Sequence, residues 1–313
     1  MTLQESAIDI AVIGAGIIGV CTALELAERG MKVTIFDPAL VCSKTSYGNA
    51  GVISPWTCVP QSMPGLWKQV PRWLIDPEGP VSIRLGHLPK LMPWVLRFLA
   101  AGRSERLDPI ADGLFRLSRG SVTAYKKRLT GTGQEQLVCD SMYVHVYRNP
   151  KAASLDHLAW QLRQARQVPI ELIDKHVLQE IEPHIADDFE AAILIKQQGR
   201  ASDPAGIGIA LAEKALAKGA SHIQTKVHEI HPDQGSGCQL VTDQGVFMAK
   251  KIVLAAGVWS SQLLARFGIK LPLEAERGYH LVLRNPGITI NHSVMDADQK
   301  YVASLMQAGV RVA

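Results

Sequence analysis

The sequence lacks the marks of a secreted, metal-dependent or nucleic-acid-binding protein. Its five cysteines are scattered, odd in number and form no Cys-x-x-Cys pair, which argues against a disulfide framework and favours a reducing cytoplasm. The ten histidines include no His-Glu-x-x-His motif, so no metal is indicated. The net charge is only +4 and no basic stripe is present, so no nucleic-acid partner is expected.

Long hydrophobic runs are also absent. No uninterrupted apolar stretch reaches the roughly 18 residues that a membrane-spanning helix needs, so we expect no such helix. Residues 10–21 resemble the apolar core of a signal peptide. The residues before them include Glu5 and Asp9 and no Lys or Arg, which is the wrong charge for the start of a signal peptide. Because 47% of the residues are hydrophobic and 20% are charged, we expect the chain to fold around a substantial core.

The clearest motif is a glycine-rich turn near the N-terminus. Residues 14–19 have the pattern Gly-x-Gly-x-x-Gly, and they follow a predicted strand over residues 8–13 and open a predicted helix over residues 17–29. A second predicted strand, residues 32–36, ends at Asp37, which lies 23 positions after the first glycine. The usual spacing in dinucleotide-binding folds is about 20. This strand–helix–strand unit therefore predicts a site for an adenine dinucleotide.

Each part of the motif has a physical role in such a site. Gly14 permits the tight turn, Gly16 lets the backbone approach a pyrophosphate, and Gly19 lets the helix pack closely on the strand. The helix N-terminus offers free N–H groups to the phosphates. The Asp37 carboxylate can accept hydrogen bonds from the ribose, and its charge disfavours NADP. The predicted dinucleotide contacts in this region are Gly14, Gly16, Ile17, Ile18, Gly19, Asp37 and Pro38.

The order of elements after Asp37 favours FAD over NAD. A polar loop, residues 42–51, is followed by a Pro- and Trp-rich stretch and a predicted helix over residues 114–130. Strands typical of a dinucleotide-binding sheet return only at residues 223–230 and 251–255. We therefore expect an α/β fold, α+β overall, in which a Rossmann-like FAD-binding domain is interleaved with a mixed-sheet substrate domain. The predicted division is FAD-binding residues 1–54 and 151–270, and substrate-domain residues 55–150 and 271–313.

Motifs along the chain resemble those of the D-amino-acid oxidase superfamily, and most closely its FAD-dependent D-amino-acid dehydrogenases. Besides the glycine turn, the resemblance rests on residues 45–51, 199–204, 253–260 and 277–279. The Asn-Ala-Gly loop at residues 49–51, followed by the Pro- and Trp-rich stretch, favours the dehydrogenase branch.

The resemblance implies roles for further residues. Those implied to lie near the FAD phosphates and flavin are Thr45, Ser46, Asn49, Ala50 and Gly51. Those implied to contact the adenine or to close over the dinucleotide are Val227, Ala256, Gly257 and Trp259. Tyr301 would border the substrate pocket, and Arg277 would bind the substrate carboxylate. The alternatives are a packing role for Val227 and Tyr301 and a surface role for Arg277.

The resemblance also implies the reaction. A D-amino acid would be oxidised at its C–N bond to a 2-oxo acid and ammonia, with hydride transfer to flavin N5. A glycine- or sarcosine-type oxidase and a proline or hydroxyproline dehydrogenase are the alternatives among enzymes. Members of this family continue well beyond the position of Ala313, which predicts a C-terminally truncated chain. An inactive fragment or a non-catalytic subunit is therefore the alternative from another class.

Cations alternate with aromatic residues in the Pro- and Trp-rich stretch. They are Lys68, Arg72, Lys90 and Arg97, and the aromatic residues are Trp67, Trp73, Trp94 and Phe98. This pattern predicts peripheral contact with an anionic membrane on its cytoplasmic face, where a dehydrogenase can pass electrons to a quinone. The alternative is that these aromatic residues pack within the substrate domain.

Overall fold

The structure is a computed structural model that describes residues 8–68, 83, 85–233 and 237–313. The helices in the described part are α1 (Ile17–Glu28), α2 (Leu88–Ala101), α3 (Ser104–Ser118), α4 (Ser121–Leu129), α5 (Leu158–Ala165), α6 (Lys175–Ile181), α7 (Pro204–Ala217) and α8 (Ser260–Ala265). The strands are β1 (Ile8–Ile13), β2 (Val33–Phe36), β3 (Val52–Ile53), β4 (Val138–Tyr147), β5 (Ile170–Asp174), β6 (Ala191–Ala201), β7 (Ser221–Ile223), β8 (Val227–Asp233), β9 (Gly237–Thr242), β10 (Gly245–Leu254), β11 (Leu281–Leu283), β12 (Ser293–Asp296), β13 (Val302–Met306) and β14 (Gly309–Val312).

The first of two compact units is built from the segments Met1–Asn49, Lys126–Leu137 and Asp203–Gly278. Its six-stranded sheet has the order β7-β2-β1-β10-β9-β8. Strands β7, β2, β1 and β10 are parallel neighbours, whereas β9 pairs antiparallel with both β10 and β8. The sheet is therefore mixed, with a parallel part that contains the predicted strand–helix–strand unit.

The hydrophobic sequence of the first unit explains its central elements. Strands β1 and β2 are almost entirely buried, as the near-continuous apolar runs of central parallel strands require. Helix α1 buries Val20, Ala23 and Leu24 and packs against α7. Gly30, with φ +78°, ends the helix in the left-handed conformation that glycine adopts readily. The chain then returns into β2, whose last residue, Phe36, packs edge-on against Phe247 with ring centroids 5.2 Å apart.

The second unit is built from the segments Ala50–Tyr125, Val138–Ser202 and Tyr279–Ala313. Its sheet has the order β11-β14-β13-β12-β4-β6-β3, and β5 also pairs with β6. Successive residues of β6 face opposite sides of this sheet. Ile193 and Ile195 pack with Trp160 of α5 in one cluster, and Leu194 packs with Leu178 of α6 in another. Both faces of the sheet around β6 are thus covered by helices.

The two mixed sheets with flanking helices confirm the predicted α/β class, and β1, α1 and β2 confirm the local unit around the glycine motif. The single helix predicted over residues 114–130 is wrong. It is interrupted between α3 and α4 at Gly120, whose φ of +77° ends one helix before the next begins. The single strand predicted over residues 223–230 is also wrong, because β7 pairs with β2 whereas β8 pairs with β9. The division into functional domains stays a prediction.

Candidate functional site

The glycine turn between β1 and α1 is the centre of the candidate site in the first unit. The Gly14 N–H donates to the Phe36 carbonyl over 2.8 Å, and the Ala255 N–H donates to the Ile13 carbonyl, also over 2.8 Å. Gly14 has a φ of +113°, and a Cβ there would lie 2.4 Å from the Ala255 oxygen. Only glycine fits this position, because the turn lies directly against the end of β10.

Gly19 and Gly16 differ in the space around them. A Cβ on Gly19 would lie 1.9 Å from the Gly14 oxygen, so α1 packs directly on the turn. A Cβ on Gly16 would meet the Ser46 hydroxyl oxygen at 3.5 Å as its nearest neighbour. The turn is therefore closed toward the helix and open beside Gly16, and a diphosphate needs such an opening to approach the backbone.

The N-terminus of α1 presents backbone amides beside this opening. Its N-cap, Gly16, makes no side-chain cap hydrogen bond. The first N–H groups of any α-helix have no acceptor within the helix. The Ile17 N–H donates to the Ser46 hydroxyl over 3.0 Å. The N–H groups of Ile18 and Gly19 also belong to this first turn, which gives the helix end the character of an anion site.

Asp37 ties the end of β2 to the same turn. One carboxylate oxygen accepts from the Ala15 N–H and the other from the Ala39 N–H, each over 2.8 Å. The side chain is half-buried, and Pro38 beside it is exposed. Each carboxylate oxygen has capacity for a second hydrogen bond. Asp37 therefore supports the turn and still has acceptor capacity for the hydroxyl groups of a ribose.

The polar loop after β2 is anchored to the turn by residues of different chemistry. The Cys42 N–H donates to the Ala15 carbonyl over 2.9 Å, and burial raises the pKa of the Cys42 thiol to about 11. Asn49 donates through its amide to the Ser46 carbonyl over 2.9 Å, and Thr45 is exposed. The sequence does not predict this anchoring role of Cys42, because the residue's only signal there is the lack of a cysteine partner.

Ala50 and Gly51 belong to the second unit, where Gly51 has a φ of +74°. The Gly51 carbonyl accepts from the Ala201 N–H over 2.7 Å. A Cβ on Gly51 would lie 2.6 Å from the Met306 side chain. This end of the loop is therefore fixed against the last residues of β6 and β13.

The other residues predicted to contact the cofactor lie in the first unit. Val227, on β8, is buried in the same core cluster as Phe36, so its side chain has a packing role. Ala256 and Gly257 follow β10, and Gly257 has a φ of +54°. Trp259 is 51% exposed. Contact between these residues and a dinucleotide stays a prediction.

The two residues predicted to bind the substrate lie in different units. Tyr301 immediately precedes β13, at the opposite end of that strand from Met306, and it is 37% exposed. Burial, together with the nearby carboxylate of Asp296, raises the pKa of Tyr301. Arg277 is exposed in a segment of the first unit without helix or strand. Both substrate roles stay predictions.

The described residues include neither a metal-binding cluster nor a helix suited to spanning a membrane. No group of three or more histidine, cysteine, aspartate or glutamate side chains is placed there to hold a metal ion. No helix in the described ranges is both long enough and apolar enough to cross a bilayer.

Comparison with known proteins agrees with the geometry of the turn. The model of one protein family, the DAO FAD dependent oxidoreductases, matches residues 9–313. A D-amino-acid oxidase of Bradyrhizobium diazoefficiens is 34% identical over 97% of this chain and 73% of that protein. A D-amino acid dehydrogenase of the same species is 31% identical over 97% of this chain and 73% of that protein. Glycine oxidase from Geobacillus kaustophilus has a TM-score of 0.67 at 22% identity, over 97% of this chain and 70% of that chain, which supports the fold alone.

Proposed function

Because the chain belongs to the DAO family of FAD-dependent oxidoreductases and its cofactor is FAD, we propose that it oxidises the C–N bond of a small D-amino acid. The products are a 2-oxo acid and ammonia. The observation that carries the proposal is the glycine turn, where the first amides of α1 and the Asp37 carboxylate lie side by side. The two relatives, an oxidase and a dehydrogenase of D-amino acids, support the choice of substrate.

The residues of the turn fit the adenine half of FAD. The N–H groups at the start of α1 would hold the diphosphate, since Gly16 leaves the backbone open there. Asp37 would bind the ribose, and Ser46 keeps the loop seated on the helix N-terminus. When bound, FAD supplies the acceptor for the hydrogen that leaves the substrate Cα. The substrate amine must be neutral for this oxidation, so the rate should rise with pH.

Anaerobic mixing of the FAD-loaded protein with small D-amino acids tests the proposal. We expect the visible flavin absorbance to bleach with a D-amino acid and to stay unchanged with its L-enantiomer. Glycine, sarcosine and proline serve as further substrates that separate the alternatives. Flavin that stays oxidised with every amino acid, despite bound FAD, would refute the proposal.

We further propose that electrons pass to a membrane quinone, because the second unit presents an amphipathic surface. Helix α2 has no buried residue, and Leu96 is 61% exposed. Trp67 is also 61% exposed, with the Lys68 ammonium 5.7 Å from its ring centroid. Lys90 and Arg97, two of the cations predicted to face the membrane, are exposed on α2. Exposed apolar side chains next to cations are the features of a helix that lies on an anionic bilayer.

Two residues of the predicted aromatic and basic pattern, Arg72 and Trp73, lie outside the described residues. Trp94 and Phe98 stack on each other with centroids 4.9 Å apart, so part of the pattern packs within α2 itself.

Vesicle binding tests the membrane contact. We expect co-sedimentation with vesicles that contain phosphatidylglycerol and not with pure phosphatidylcholine. The double variant Lys90→Glu and Arg97→Glu should lose this binding, whereas a control of equal charge change, Lys151→Glu with Lys218→Glu, should keep it. Equal binding by both double variants would contradict the contact. Reduction of a quinone analogue without peroxide formation would support the quinone acceptor, and peroxide formation would indicate oxygen instead.

A further inference from the structure

A cavity of about 570 Å³ lies in the second unit, lined by the turn at residues 63–67, the end of α2 and the start of α3. Its volume is in the range of small-molecule sites, roughly 300–1,000 Å³. The lining residues that matter for its chemistry are Met63, Trp67, Leu96, Leu99, Arg103 and Glu105.

The apolar part of this lining is open to solvent. Trp67 and Leu96 are each 61% exposed, and Met63 and Leu99 are half-buried. Burial of apolar surface is favourable by about 25 cal/mol per Å², so a ligand that covers these side chains gains from their contact. Exposed apolar surface that is gathered in one place marks a binding site or a membrane contact. The lining therefore favours a ligand with an apolar chain.

The two main walls of the cavity are held in place by the backbone. Gly65 has a φ of +81°, and its carbonyl accepts from the Lys68 N–H over 3.0 Å, which fixes the turn that carries Trp67. A Cβ on Gly102, directly after α2, would lie 2.5 Å from the Ser62 hydroxyl oxygen, so the helix end packs against the start of this turn. The cavity is therefore formed before a ligand enters, as most ligand sites are.

The charged groups at the edge of the cavity favour a ligand with a negative headgroup. Arg103 is exposed in the lining and has no acidic partner among the described residues. The Lys68 ammonium lies near the Trp67 ring, 5.7 Å from its centroid. Glu105 lies in the first turn of α3, where the helix dipole favours its charge. Two cations and one acid leave the edge with a net positive charge.

We propose that the cavity holds one acyl chain of an anionic phospholipid whose phosphate pairs with Arg103; this inference rests on the membrane contact of the proposed function. The acyl chain would cover Trp67 and Leu96. The guanidinium of an arginine offers two parallel N–H donors to a phosphate, and Lys68 would add a second positive charge from the side of Trp67. A lipid held in this way attaches the end of α2 to the bilayer surface.

Calorimetric titration of the FAD-loaded protein with short-chain lipids below their critical micelle concentration tests the inference without a bilayer. We expect dihexanoyl phosphatidylglycerol to bind at one site per chain. Dihexanoyl phosphatidylcholine has the same acyl chains and no net charge, so it should bind about tenfold more weakly or worse. Glycerol 1-phosphate, which has no acyl chain, should not bind. Equal binding of the two lipids would overturn the inference, and binding of glycerol 1-phosphate as tight as that of the lipid would assign the site to free phosphates instead.

Two matched pairs of variants locate the lipid. Arg103→Glu should weaken binding of dihexanoyl phosphatidylglycerol about tenfold or more, whereas Arg106→Glu, the same change of charge at an exposed residue outside the lining, should weaken it far less. Leu96→Gln should also weaken binding. Its control is Leu117→Gln, because Leu117 is 88% exposed and lies outside the lining. Equal effects of the two substitutions in either pair would overturn the inference.

Two further measurements separate the occupants and the proposals. Saturable binding of decylubiquinone, together with no binding of dihexanoyl phosphatidylglycerol, would assign the cavity to a quinone and overturn the lipid. Vesicle binding without binding of the monomeric lipid would support the membrane contact and overturn the lipid cavity. Binding of the monomeric lipid without turnover of any amino acid would support the lipid cavity and refute the proposed oxidation.

Discussion

Replacing Gly19 by alanine tests whether α1 packs directly on the glycine turn. The added Cβ would lie 1.9 Å from the Gly14 oxygen, whereas ordinary carbon–oxygen contacts are about 3.3 Å or longer. The helix would have to move by more than about 1 Å, and overpacking of this kind costs roughly 1–3 kcal/mol. Alanine returns up to about 1 kcal/mol through its helix propensity. We expect a net fall of about 1–2 kcal/mol in the free energy of unfolding.

Gly113→Ala is the matched control, since Gly113 also lies in a helix but has nothing within 4 Å of its added Cβ. We expect this variant to gain up to about 1 kcal/mol, the propensity effect alone. Thermal unfolding and FAD titration of both variants measure the difference. Gly19→Ala should also weaken FAD binding about tenfold or more, because the helix N-terminus moves away from Ser46. Equal stabilisation by the two substitutions would refute close packing at Gly19.

Two further predictions concern single side chains. Asp37→Asn keeps only one of the two oxygens that accept from the Ala15 and Ala39 N–H groups. We expect the Kd for FAD, measured by calorimetry, to rise about tenfold. An unchanged Kd would exclude a binding role for the Asp37 charge. Burial lowers the pKa of His145 from its ordinary 6.5 to about 3. Between these two pH values the unfolded chain therefore binds more protons than the folded chain. The stability that the neutral histidine allows is complete above pH 6.5 and is lost as pH falls toward 3. The free energy of unfolding should therefore drop by about 1–2 kcal/mol between pH 7 and 5, less so in His145→Phe, and equal pH slopes would contradict a buried neutral histidine.

The site residues that the sequence predicts at the glycine turn lie close to one another along the chain. Gly14, Gly19 and Asp37 lie within one strand–helix–strand unit. The geometry of this unit depends on the backbone conformations that glycine permits and on the lengths of its strands and helix. The structure confirms that this unit forms, and it adds a hydrogen bond from the Ala15 N–H to Asp37 that the sequence did not predict.

The features that the sequence could not predict depend on residues far apart in the chain. The hydrogen bond from the Ile17 N–H to the Ser46 hydroxyl joins residues 29 positions apart. It forms only because the polar loop after β2 folds back onto α1. The position of the buried Gln198 on β6 depends on a register shift between β4 and β6. A strand pattern with period two gives no sign of a bulge, so the buried glutamine had no distinguishing signal in the sequence.

Titration of the purified protein with FAD measures whether the glycine turn holds the adenine dinucleotide. We expect a yellow complex with one FAD per chain, competition by ADP and none by NADP, and a marked loss of affinity in Gly19→Ala relative to Gly113→Ala. A well-folded protein that binds neither FAD nor ADP would contradict this role of the turn.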